Sequence, residues 1–80
     1  MKVVQLKYRG RCVIIRAKRY RLFIDMSQVE MSESIGIKLS SYRAKEQGRV
    51  SFSDIEKREF KKIVSKYIPE VTIDDIFFTQ

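Results

Sequence analysis

Eighty residues make one domain, residues 1–80, and a chain this short buries only a thin core. Seventeen Lys and Arg against ten Asp and Glu leave a net charge of +7, which favours anionic partners. One cysteine, Cys12, and no histidine exclude an internal disulfide, a Cys/His zinc site and histidine catalysis.

The charge is uneven. Residues 1–24 carry Lys2, Lys7, Arg9, Arg11, Arg16, Lys18, Arg19 and Arg21 and no acid. Asp25, Glu30 and Glu33 follow, then a second basic stretch at residues 38–49. Residues 50–80 are nearly balanced. Basic residues interrupt every apolar run near the start, and no run approaches the roughly 18–20 residues of a membrane span. A cytoplasmic protein without a membrane segment is expected.

Residues 3–8 alternate, with Val4, Leu6 and Tyr8 on one side, as a strand does. Arg9-Gly10 suits a two-residue hairpin turn, and residues 11–16 give a second strand. A turn within residues 17–20 leads to a third strand ending at Ile24. The register that pairs Arg16 with Arg21 and Ile14 with Phe23 gathers Val4, Leu6, Tyr8, Val13, Ile15, Tyr20, Leu22 and Ile24 on one face. That face is the expected core. Lys7, Cys12, Ile14, Arg16, Arg21 and Phe23 fall on the other. Arg16 opposite Arg21 is a like-charge pair that an anion would relieve. Cys12 reads as a plain strand residue.

Residues 25–34 are polar and acidic and read as a connection with at most a short helical turn. Ile35, Ile37 and Leu39 alternate, so a fourth strand is expected over residues 35–42. A turn at residues 43–48 and a short strand at residues 49–52 complete a second hairpin. The competing reading is a helix over residues 40–47 closed by Gly48; it has few apolar residues to bury and ranks second.

The next segment is a helix. Ser53 and Glu56 form a capping box, and Lys61, Lys62 and Lys66 follow toward the C-terminal end. Phe60, Ile63, Val64 and Tyr67 make its apolar stripe, and Pro69 stops it. The tail, residues 71–78, is too apolar to be loose and reads as a last strand or short helix packed within the chain. Asp74 and Asp75 are adjacent, without further ligands, and do not make a metal pair.

The expected fold is α+β. It has a small antiparallel sheet, a three-stranded N-terminal meander plus a second hairpin, either open or closing into a partly open SH3-like barrel. One C-terminal helix and a final short strand complete it. The expected function is non-enzymatic nucleic-acid binding, mostly through the DNA or RNA backbone. The residues that would carry it are Lys7, Arg9, Arg11, Arg16, Lys18, Arg19 and Arg21, with Phe23 for stacking. The alternative is a small interaction or inhibitor protein of phage or mobile-element type. It would bind an acidic or nucleic-acid-binding surface of a partner, since Arg pairs with carboxylate as well as phosphate. No cofactor or metal is expected, and the chain would act as a monomer or homodimer.

Overall fold

The computed structural model describes residues 16–77. They form α1 (Ala17–Phe23), α2 (Gln28–Ile35), α3 (Leu39–Glu46), α4 (Asp54–Ser65) and α5 (Ile73–Phe77). The expected α+β sheet is overturned: among the described residues there are five helices and no strand. The expected strands at residues 3–8 and 11–16, with Lys7, Arg9, Arg11 and Cys12, lie outside the described residues except for Arg16, which is the N-cap of α1.

The expected third strand is helix α1. Ala17, Tyr20, Arg21 and Ile24 face inward, at spacings of three, one and three residues. That is one face of a helix. The alternation read for a sheet used Tyr20, Leu22 and Ile24, but Leu22 stands out in solvent. The expected fourth strand spans a helix end, a turn and a helix start. Ile35 closes α2, Ile37 lies in the turn and Leu39 opens α3, so their alternation reflects a change of direction and not a pleat. The second-ranked helix at residues 40–47 is the observed α3. Residues 49–52 are a loop that carries Phe52 into the core. The helix after Ser53 forms as expected, with the reciprocal capping box to Glu56. The final segment is a short helix and not a strand, and it packs within the chain through Ile76 and Phe77.

The ends of the short helices are strongly specified. Ser27 caps α2: its hydroxyl accepts from the Glu30 N–H, and the Glu30 carboxylate accepts from the Ser27 N–H. Gly36 ends α2 in the left-handed region at φ 80°. The Ile37 N–H then reaches the Ser32 carbonyl and the Gly36 N–H the Glu33 carbonyl, a Schellman closure. Gly48, at φ 87°, closes α3 the same way, with Arg49 N–H on the Ala44 carbonyl and Gly48 N–H on the Lys45 carbonyl. Asp25 does so for α1 at φ 62°, a conformation Asp tolerates better than most side chains. Thr72 and Asp75 cap α5 reciprocally, so Asp75 has a structural role.

Helix α2 packs on α3 and α4, α4 packs on α5, and α5 packs on α1. The Arg16 N–H donates to the Ile76 carbonyl at 2.8 Å, tying the start of α1 to the last helix. The core joins Met31 and Ile35 of α2, Tyr42 of α3, Phe60 and Val64 of α4, and Ile76 and Phe77 of α5. Phe52 sits among Tyr42, Phe60 and Phe77 in edge-on contacts, at centroid distances of 6.0, 6.1 and 5.0 Å. Edge-on contact is the favoured arrangement for aromatic pairs.

Candidate nucleic-acid interface

Helices α2 and α3 have eight residues each and are joined by the turn Gly36-Ile37-Lys38. Two packed short helices joined by a three-residue turn containing glycine have the connectivity of a helix-turn-helix. The sequence builds it from three signals: the Ser27 cap, the left-handed Gly36, and apolar residues at 31, 35, 39 and 42.

The inward side of α3 is committed to structure. Tyr42 is fully buried, and the Glu46 side chain is 4% exposed and paired with Arg21. Arg21 Nε donates to Glu46 Oε2 at 2.8 Å and Arg21 Nη2 to Oε1 at 3.2 Å. Arg21 Nη1 donates to the Met26 carbonyl at 2.9 Å. The Tyr42 hydroxyl donates to Glu46 Oε2 at 2.6 Å, and Gln28 Nε2 to Oε1 at 2.8 Å. One carboxylate thus joins α1, α2 and α3. Burial alone would push the Glu46 carboxyl up, but the hydrogen bonds from Arg21, Tyr42 and Gln28 outweigh it and hold the group below the usual carboxylate range. Burial, followed by the bond to that carboxylate, pushes the Tyr42 phenol far above its ordinary value, so it remains a donor.

The outward side of α3 is polar. Ser40, Arg43 and Gln47 are exposed at spacings of three and four residues, hence on one stripe. Lys38 at the N-cap and Arg49 beyond the C-terminus are exposed at its two ends. The acid within residues 38–49 is Glu46, and it points inward. Lys45 is taken up by Glu56 of the α4 capping box, at 2.6 Å. The acids Asp25, Glu30 and Glu33 collect elsewhere, with Ile24, Met26, Ser34 and Tyr67, around an open cleft of about 580 Å³.

Of the residues expected to bind nucleic acid, Lys7, Arg9 and Arg11 lie outside the described residues, and the others fall on or beside α1 and not on a sheet face. Arg21 is 5% exposed and ion-paired, so it is structural. Arg16, Lys18 and Arg19 are exposed on or beside α1. Phe23 is 70% exposed on the same helix, next to exposed Leu22. The sequence reading missed Gln28, Lys38, Ser40, Arg43, Gln47 and Arg49. The signal that finds them is the Ser27-to-Glu30 capping box followed six residues later by Gly36, which marks a complete short helix. No helix among the described residues is long and apolar enough to cross a membrane. No cluster of metal-ligating side chains occurs among the described residues.

Comparison with protein-family models, curated proteins and solved structures returned no match.

Proposed function

We propose that this chain binds duplex DNA, with α3 as the helix that enters the major groove. The observation that carries the reading is the helix-turn-helix whose second helix presents Ser40, Arg43 and Gln47 on one exposed stripe between Lys38 and Arg49. In DNA-binding proteins of this motif the second helix lies in the major groove and the first crosses the backbone. Side chains of α3 then meet base edges, while basic groups at its ends meet phosphate. The net charge of +7 adds a sequence-independent attraction. The expected function is kept in kind, and its surface moves from a basic hairpin to a helix.

A salt series tests this reading. Binding to a generic duplex is measured by fluorescence anisotropy for the wild type and for Lys38→Ala/Arg49→Ala. The side chain of Lys38 makes no capping hydrogen bond, so its removal spares the fold. The logarithm of affinity should fall linearly with the logarithm of salt concentration, and the variant's slope should be shallower by about 2. A wild type that binds no duplex at low salt refutes the proposal.

A second reading is supported by α1. Leu22 and Phe23 are 56% and 70% exposed beside Arg19, a surface suited to an acidic protein partner. Leu22→Ser/Phe23→Ser should abolish such an association and leave duplex binding intact.

A further inference from the structure

We propose that Arg43 reads a guanine through its terminal Nη groups and that Gln28 is the positioning residue that aims it. The inference rests on the DNA-binding reading above.

It starts from the orientation of one amide. Gln28 lies between Glu46, which as a carboxylate only accepts, and Arg43, which only donates. Gln28 Nε2 donates to Glu46 Oε1 at 2.8 Å, and Gln28 Oε1 accepts from Arg43 Nε at 3.2 Å. Turning the amide over would set oxygen against carboxylate and N–H against N–H. Its orientation is therefore fixed by chemistry. Glu46 is held in turn by both arms of Arg21 and by Tyr42. A continuous chain of hydrogen bonds runs from a buried ion pair to an exposed guanidinium.

That chain decides which Arg43 donors face outward. The Nε–H is used by Gln28, and the Nη fork is left to meet a ligand. Among the described residues no carboxylate pairs with Arg43. Guanine offers N7 and O6 side by side in the major groove, and a guanidinium fork matches them. A phosphate would accept the same fork, so position separates the two. Arg43 is the middle residue of the exposed Ser40, Arg43 and Gln47 stripe, the side of α3 that would face base edges. Lys38 and Arg49 lie at the ends, nearer the backbone. Pre-orientation adds discrimination because less side-chain freedom is lost on binding.

The test is selection of binding sites from a duplex pool randomised over its central base pairs, with wild type, Arg43→Ala, Arg43→Lys and Gln28→Ala, each shown by thermal unfolding to be folded. The wild type should select a guanine at a defined position, by about 5- to 150-fold over other bases. Arg43→Ala and Arg43→Lys should lose that preference, the latter because ammonium is a point donor. Gln28→Ala should keep guanine but by a smaller factor. If Arg43→Ala weakens all sequences equally and leaves the base preference unchanged, Arg43 is a phosphate contact; the inference falls while DNA binding stands. An unchanged guanine preference in Gln28→Ala removes the positioning role. Failure of the wild type to bind any duplex removes both this inference and the reading beneath it.

Discussion

Replacing Arg21 by alanine is expected to cost about 3–5 kcal/mol, the usual penalty for leaving one member of a buried ion pair without its partner. A domain of this length has a total stability of about 4–12 kcal/mol, so the variant should lose a large fraction of it. The reason lies in Glu46. Its carboxylate is buried and accepts from Arg21, Tyr42 and Gln28. Without Arg21 a charge remains inside with only neutral donors, and the Met26 carbonyl loses its partner too. Arg21→Lys should rescue little, because an ammonium cannot make the two parallel bonds and also reach Met26. Urea denaturation measures the effect; a loss below about 1 kcal/mol would contradict it.

The same pair sets a pH dependence. The folded Glu46 carboxyl lies below its ordinary value, so its contribution is complete above the unfolded value and is lost as pH falls through the folded one. Glu56 acts in the same direction. Burial raises its carboxyl, and Lys45 with the Ser53 backbone more than offsets this. Stability should therefore fall in acid below the ordinary carboxylate range. The fall should be shallower in the Arg21→Ala variant, in which part of the Glu46 shift is gone. Urea midpoints collected across the acidic range separate the two carboxylates.

The second large effect is expected at Phe60. This side chain is fully buried on α4, edge-on to Phe52 at 6.1 Å and to Phe77 at 5.4 Å. Phe60→Ala removes a ring from the place where α4, α5 and the residue 49–52 loop meet. A cost of about 3–5 kcal/mol is expected, combining lost transfer energy with the cavity left behind. Thermal or urea unfolding reads it directly. A cost near zero would mean that the aromatic cluster is not the centre of the core.

Helix α4 was legible from its cap, Ser53 with Glu56, and from Phe60, Ile63 and Val64; Tyr67, read into the same stripe, lies past the helix end at Ser65 and is exposed, and Pro69 follows the Lys66 cap by three residues. The tail was half legible, since its apolar residues demanded burial without choosing helix or strand. Helix α1 was misread for a specific reason. Its inward face includes Arg21, which a hydrophobic pattern counts as surface. The arginine belongs inside only because Glu46 is brought to it by the tertiary fold, 25 residues along the chain. With Arg21 set aside, exposed Leu22 was counted between Tyr20 and Ile24, and that alternation reads as strand. Helices α2 and α3 were obscured by their shortness: two turns each give few periodic positions, and Ile35, Ile37 and Leu39 imitate a strand across the Gly36 turn. The site went with them. The basic charge was read as a pointer to an anionic ligand, and the proposed DNA reading assigns that role to α3 between Lys38 and Arg49; one of the arginines first chosen, Arg21, supports that helix from within.

The most direct measurement is a titration of isotope-labelled protein with a short duplex, followed by amide chemical shifts. If α3 enters the major groove, the largest changes fall on Gln28 and on Lys38, Ser40, Arg43, Gln47 and Arg49. The amides around the Asp25, Glu30 and Glu33 cleft stay in place. Changes confined to Leu22 and Phe23 on α1, or to the cleft, with α3 unaffected, would contradict it.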